Sequence, residues 1–182
     1  GGWPVFEAQI LAAFANPANI QQLTTVPAGG PGGPPGGGAP AAGPASDKLA
    51  EGVYRLRGAY NSLAVEFSDH IFLFEPGPQN EARAQALIAE AKRVIPNKPI
   101  KYGVISHHHF DHTSGLPAAI AEGITIVTHQ VNKAFLENAL GAPRTLAPDS
   151  MAKSGKKLKI EAIDCDKRVF TDGTRTVEVH LI

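Results

Sequence analysis

A tract of 18 residues, from Pro27 to Pro44, consists only of proline, glycine and alanine. This composition offers no large apolar side chains for a core, so folding cannot offset the conformational entropy lost on ordering the tract. We therefore predict a flexible or polyproline-like linker over residues 27–46. The alternative is an ordered tract that a partner chain covers. The linker would separate an N-terminal arm, residues 1–26, from a globular domain, residues 47–182.

The arm carries a single apolar face. Apolar side chains recur at helical spacing after a proline that suits a first helical turn, and they are Phe6, Ile10, Leu11 and Phe14. The pattern predicts a short helix that docks on the main body or, alternatively, binds a partner. The sequence starts at Gly1 without an initiator methionine. This start is compatible with the removal of a leader, and it favours a periplasmic or secreted location over a cytoplasmic one.

Charge and composition exclude several classes of protein. The 17 basic and 17 acidic side chains cancel, whereas a protein that binds nucleic acid usually carries a basic excess. No run of about 18 apolar residues occurs, so the sequence predicts no membrane span. The single cysteine, Cys165, excludes an internal disulfide and a cysteine-rich zinc module. A hydrophobic fraction of 43% permits a buried core after the linker.

Strand-like and helix-like patterns alternate after the linker. Period-two alternation and short apolar runs predict strands, whereas apolar residues at helical spacing predict helices. The predicted strands are 52–57, 61–67, 71–74, 100–106, 124–128, 158–163, 168–170 and 174–182, and the predicted helices are 80–94, 116–121 and 131–140. This alternation is typical of an α/β fold.

Histidines concentrate directly after the predicted strand 100–106. Four of the seven histidines lie within residues 107–112, beside an aspartate. In an extended stretch alternate side chains share a face, so His107, His109 and Asp111 can converge. Imidazole and carboxylate are ligands for zinc, iron or manganese, and α/β proteins place their sites at the carboxyl ends of strands. We therefore predict a metal site here rather than a solvated polar loop.

The pattern H-x-H-x-D-H at residues 107–112, followed by Thr-Ser-Gly-Leu, resembles the metallo-β-lactamase superfamily. The strands from Gly52 onward, the sequence Glu-Pro-Gly-Pro at 75–78 and the sequence Ile-Val-Thr-His at 126–129 also fit the first half of that family. The resemblance thus covers residues 52–182. It implies the first half of an αββα sandwich and a site for one or two metal ions, usually zinc and in some members iron or manganese.

The resemblance also implies roles for particular residues. His107 and His109 would bind the first metal ion, and Asp111 and His112 would bind the second. The implied reaction is hydrolysis by a metal-bound hydroxide, which either the second ion or Asp111 would orient, with Asp111 as the candidate catalytic residue. Glu75 would support a ligand histidine without binding the metal itself, at a position where members of the family often carry aspartate.

The family's remaining ligands have no counterpart in this sequence. A third histidine for the first ion, a bridging aspartate and a last histidine belong to the second half of the fold. We interpret His129 and His180 as ordinary strand residues, and Asp164 and Asp166 as turn residues. Two functions stay open. One is a fragment of a metal-dependent hydrolase that acts on an ester, amide or related bond, and the other is a non-catalytic structural or self-assembling subunit.

These two functions imply different partners. A half sandwich would leave an apolar sheet face and strand edges uncovered, which predicts a homo-oligomer or a complementing C-terminal half. The apolar positions that would need a cover are Leu63, Val65, Phe67, Ile124, Ile126 and Val177. The complete enzyme would act on a small-molecule substrate. A lysine-rich loop at residues 153–159 is either solvated or lies over an anionic substrate.

Overall fold

The computed structural model of this protein describes residues 46–58 and 60–181. The predicted arm, and the predicted linker up to residue 45, lie outside the described residues. Within the described part, strands and helices alternate around a central sheet, which confirms the predicted α/β class. None of the helices in this part of the chain is long and apolar enough to cross a membrane.

The described residues contain nine strands and five helices. The strands are β1 (Ser46–Ala50), β2 (Val53–Leu56), β3 (Ser62–Glu66), β4 (Ile71–Phe74), β5 (Ile100–Val104), β6 (Thr125–His129), β7 (Ile160–Ile163), β8 (Lys167–Thr171) and β9 (Thr176–His180). The helices are α1 (Glu81–Val94), α2 (Phe110–Thr113), α3 (Leu116–Glu122), α4 (Gln130–Gly141) and α5 (Ser150–Ser154). Every strand and helix predicted after the linker is present with its ends shifted by a few residues, whereas β1, α2 and α5 have no counterpart among the predicted elements.

One sheet of seven strands follows the chain order from β1 to β7. Pairing is antiparallel from β1 to β4 and parallel from β4 to β7. The change occurs at β4 because α1 crosses over to β5, and parallel strands need such a long connection. Phe74 pairs with Val104, and Val104 with Val127. The carboxyl ends of β4, β5 and β6 therefore meet at one edge of the sheet, where the loops that follow them are neighbours.

Helix α1 packs on the sheet with a well-defined beginning. The Asn80 side chain caps it by accepting a hydrogen bond from the backbone N–H of Arg83 at 2.9 Å. Such a cap satisfies one of the free N–H groups of the first turn. Along the helix, Ala84, Leu87 and Ala91 are buried on the face that meets the sheet.

Both faces of the sheet carry buried apolar residues. The helix side is the larger cluster and includes Leu73, Leu87 and Ile126. On the opposite side, strands β8 and β9 form a separate hairpin. Its Phe170 packs edge-on against Phe72 of the sheet, with ring centroids 4.8 Å apart.

The hairpin corrects one premise of the oligomer prediction. Six residues were expected to need a cover from another chain: Leu63, Val65, Phe67, Ile124, Ile126 and Val177. Four of them, Val65, Phe67, Ile124 and Ile126, are buried within the chain itself. The sequence pattern identified these apolar positions correctly, but it did not reveal that the hairpin and the helices cover them.

Gly115 lets the start of α3 approach α1 closely. A Cβ atom at this position would lie 2.6 Å from the Asn80 carbonyl oxygen and 2.7 Å from the Ala84 Cβ. We therefore expect Gly115→Ala to push the two helices apart and to lower the free energy of unfolding by about 1–3 kcal/mol. Urea denaturation followed by circular dichroism measures this change.

Gly141→Ala is the matched control, because a Cβ at Gly141 has no neighbour within 4 Å. Its stability should stay within about 0.5 kcal/mol of the unsubstituted protein. An equal loss of unfolding free energy in both variants would contradict the close approach of α3 to α1 at Gly115.

Candidate metal site

The histidine motif begins where β5 ends. Ile105 is buried, and its backbone N–H donates to the Val127 carbonyl oxygen at 3.0 Å. The chain bends at Ser106, and His109, the residue that precedes α2, has an extended backbone. There the backbone turns into a helix, because the N–H groups of His112 and Thr113 donate to the His109 carbonyl oxygen at 3.0 and 3.1 Å. The motif is thus half extended and half helical.

Three of the four predicted ligands converge. His107, Asp111 and His112 each offer a ligand atom, and these three atoms lie within 4.8 Å of one another. The rings of His107 and His112 are 4.2 Å apart between centroids, and Asp111 Oδ2 lies 3.6 Å from His112 Nε2. All three side chains are half-buried. We call this group the metal cluster.

His109 lies beside the metal cluster rather than inside it. Its ring centroid is 4.6 Å from that of His107, and the residue is exposed. In a chain that is extended through Asp111, residues 107, 109 and 111 would share a face. The one-turn helix α2 changes that geometry, since it brings Asp111 and His112 back toward His107.

Glu75 joins the two ends of the motif. Its Oε1 accepts a hydrogen bond from the Ser106 N–H at 3.0 Å, and its Oε2 accepts one from His112 Nδ1 at 2.9 Å. A carboxylate can only accept, so Nδ1 of His112 carries the proton and Nε2 faces Asp111. This is the arrangement in which a carboxylate orients a metal-binding imidazole. The longer arm of glutamate reaches the histidine from the end of β4.

The backbone at Glu75 is strained. Its φ is 52°, in the left-handed region that favours glycine. The Glu75 N–H donates to the Val104 carbonyl oxygen at 2.8 Å, and its own carbonyl oxygen accepts from Ser62 Oγ at 2.9 Å. Both backbone groups are therefore held in place, and the conformation directs the side chain toward the motif.

Tyr60 is a site residue that the sequence analysis missed. Its ring centroid lies 5.5 Å from that of His112, and a hydrogen bond with the Asp111 carboxylate raises the pKa of the Tyr60 phenol. The loop that carries Tyr60 is tied to α1, because Arg83 Nη2 donates to the Arg57 carbonyl oxygen at 2.6 Å. No local pattern marks Tyr60, since it is about 50 residues from its contacts.

His129 and His180 lie near the metal cluster but are not part of it. They line, with Glu75 and Ser106, a cavity of about 300 Å³ between the sheet edge and the end of β9. His180 Nε2 contacts Glu178 Oε2 at 2.9 Å. Both histidines are in strands, as interpreted from the sequence.

The chemistry of the metal cluster fits a metal ion. Two imidazoles and one carboxylate form a ligand set that zinc accepts. The Glu75 carboxylate, hydrogen-bonded to His112 Nδ1, holds the His112 ring in a fixed orientation, as carboxylates around zinc sites do. Iron and manganese accept the same donors.

A model of the metallo-β-lactamase superfamily matches residues 55–180. The chain belongs to the metallo-β-lactamase superfamily. This confirms the resemblance inferred from the motif. Membership supports metal binding, usually of zinc, and a metal-dependent hydrolase at the level of the superfamily. The comparison with curated proteins gave no match.

Solved structures of metallo-β-lactamases share the fold. The enzyme from Hirschia baltica is 21% identical with a TM-score of 0.50, and the match covers 70% of this chain and 56% of that one. The enzyme from Pontibacter korlensis is 17% identical with a TM-score of 0.54, covering 75% of this chain and 60% of that one. SMB-1, in a complex with mercaptoacetic acid, is 20% identical with a TM-score of 0.53, and the match covers 71% of this chain and 49% of that one. The chain therefore spans about half the length of these relatives.

The Glu75–His112 contact generates a prediction on metal affinity. The Ser106 N–H and His112 Nδ1 both donate to the Glu75 carboxylate. In Glu75→Gln the side-chain N–H₂ group would face one of these donors and could not accept its hydrogen bond. The substitution should therefore loosen His112 and weaken zinc binding about 10- to 100-fold. Competition with a chromophoric chelator measures the affinity. Glu66→Gln is the control, because Glu66 pairs with Lys98 at 2.8 Å and lies outside the metal cluster. An unchanged zinc affinity in Glu75→Gln would show that His112 does not depend on this carboxylate.

Proposed function

We propose that this chain carries the metal-binding half of a hydrolase that cleaves an ester, amide or related bond of a small molecule. The observation that supports the proposal is the convergence of His107, Asp111 and His112, with Glu75 behind His112. Zinc bound in such a site lowers the pKa of a water ligand towards 7, which supplies a nucleophile at neutral pH. The position at the carboxyl ends of the strands is where α/β proteins bind substrates.

Each residue has a distinct role in this proposal. His107 and His109 would hold one metal ion, and Asp111 and His112 would hold a second where two are bound. Asp111 also has an acid–base role, because its carboxylate is half-buried and can orient the attacking water and accept its proton at Oδ2. Glu75 keeps the His112 proton on Nδ1, which leaves Nε2 for the ion. We propose zinc as this ion, with iron or manganese as alternatives.

Full activity requires more ligands than the metal cluster contains. A zinc site takes about four ligands, and the cluster with His109 supplies four side chains for what would be one or two ions. We therefore propose that a complementing C-terminal half completes the site. The cavity beside His129 and His180 has a volume suited to part of a small-molecule substrate. A periplasmic or secreted location, and an absence of nucleic-acid partners, remain part of the proposal.

A structural role is the second candidate, and one observation favours it. Strand β9 pairs with β8 alone among the described strands, so its other edge is open to a strand of another molecule. A self-assembling subunit or homo-oligomer would use this edge. The buried sheet faces weaken this candidate, because they remove the larger surface that oligomerisation was expected to cover. Light scattering over a range of concentrations separates a monomer from such an assembly.

The ligand set predicts partial metal occupancy. After dialysis against zinc, elemental analysis should find well under two ions per chain, because two ions require more ligands than residues 107–112 supply. His112→Ala should lower the content further. His108→Ala is the control, since His108 Nδ1 contacts Asn132 Oδ1 at 2.8 Å outside the metal cluster. Two tightly held ions per chain would mean that further residues, or a second molecule, donate ligands.

The proposed reaction predicts the effect of removing ligands in the complemented protein. His109→Ala and Asp111→Ala should each abolish hydrolysis of a chromogenic ester or lactam, because each removes a proposed ligand and Asp111 also orients the nucleophile. The described chain without its complement should turn over little or no substrate. Glu137→Ala, on the exposed surface of α4, should leave the rate unchanged. Full activity in both ligand variants, with unchanged metal content, would overturn the site assignment.

A further inference from the structure

Two aromatic side chains lie exposed beside the metal cluster. Phe110, the first residue of α2, is 78% exposed, and Phe135 of α4 is 48% exposed. Single apolar residues on a surface need no explanation, but a contiguous apolar patch next to a candidate site usually marks a binding surface. Both residues line one groove, which is therefore a candidate binding surface.

The groove lies between α2, α3 and α4 and has a volume of about 330 Å³. Its apolar lining includes the buried residues Pro117, Leu136 and Leu140, below the exposed rings of Phe110 and Phe135. With His108, these residues define what we call the α4 groove. The volume is at the small end of the range for ligand pockets, so it suits one aryl ring or a short alkyl chain.

The α4 groove adjoins the metal cluster through a row of rings. The His108 ring centroid is 4.6 Å from that of Phe135 and 5.6 Å from that of His109. The His109 ring in turn lies 4.6 Å from that of His107, a member of the metal cluster. The side chains of His108 and His109 therefore lie between the groove and the metal cluster.

The wall between groove and cluster is held by buried hydrogen bonds. His108 Nδ1 donates to Asn132 Oδ1 at 2.8 Å, and Asn132 Nδ2 donates to Thr128 Oγ1 at 2.9 Å. Asn132 and Thr128 are both buried. The His108 ring is thus fixed before any ligand arrives, which lowers the entropic cost of binding against it.

The charges of the α4 groove compensate each other. Its two charged lining residues, Arg144 and Asp149, form an ion pair. Arg144 Nη1 also donates to the carbonyl oxygens of Leu140 and Ala142, at 2.7 and 2.9 Å. The groove therefore lacks an unpaired charge that would favour an anion or a cation, and its apolar lining favours an uncharged occupant.

We propose that the α4 groove binds an uncharged aryl or short alkyl substituent of the hydrolase substrate. Phe110 and Phe135 are then specificity-determining residues, which select substrates that carry such a group. The substrate class is an ester or amide with an apolar acyl group. This inference rests on the function proposed above, but binding in the groove needs neither metal nor turnover.

Binding of phenylacetamide tests the proposal directly. In nitrogen-15 correlation spectra of the full chain, phenylacetamide should shift the amide resonances of Phe110, Thr113 and Phe135, whereas acetamide, which lacks the ring, should not. Phe135→Ala and Phe110→Ala should each weaken phenylacetamide binding about tenfold. Val131→Ala is the matched control on α4, because Val131 is 73% exposed and does not line the groove.

Three results would overturn the proposal. They are unchanged amide resonances in the groove with phenylacetamide, equal losses of phenylacetamide affinity in Val131→Ala and Phe135→Ala, and tighter binding of phenylacetate than of phenylacetamide.

In the complemented hydrolase, Phe135→Ala should raise KM for a phenylacetyl ester without a matching change for an acetyl ester. Groove binding without any hydrolysis would contradict the proposed function alone, whereas hydrolysis without groove binding would contradict this inference alone.

Discussion

The bridge from the Glu75 carboxylate to both ends of the histidine motif is the contact on which the rest of the site depends. One oxygen accepts from the Ser106 N–H at the end of β5, and the other accepts from His112 Nδ1 in α2. Hydrogen bonds to a charged group contribute about 1.5–3 kcal/mol each, so the two together exceed the roughly 1–2 kcal/mol that a left-handed backbone costs. The strained conformation at Glu75 is therefore stable, and it determines where His112 points.

The sheet makes this contact possible, because parallel pairing brings the ends of β4, β5 and β6 to one edge. Gly115 allows α3 to lie against α1. The Gln79 N–H donates to the Asp111 carbonyl oxygen at 2.8 Å, which ties α2 to the loop after β4. The hairpin of β8 and β9 covers the opposite sheet face and contributes His180 to the adjoining cavity. Packing thus brings the metal cluster, the Glu75 carboxylate and the adjoining cavity together at one end of the fold.

Membership in the metallo-β-lactamase superfamily and the arrangement of the metal cluster support the same proposal of metal-dependent hydrolysis. The chain spans about half the length of its structural relatives, so the proposal assigns it only some of the metal ligands of the complete site. The α4 groove adds an expectation about the substrate. Its aromatic rim and paired charges favour an apolar substituent, next to side chains suited to hold a metal ion.

The sequence alone determined the α/β class, most strands and helices, and the motif at residues 107–112, because these depend on local periodicity and on ligand types close together in the chain. It did not reveal the one-turn helices α2 and α5, since a single turn is too short for an apolar period to appear. Only the tertiary structure decided the contact of Tyr60 with His112, the exposed position of His109 beside His107 and the burial of Val65 and Phe67. These features depend on contacts between distant segments and on local turns that packing selects, and neither leaves a periodic pattern in the sequence.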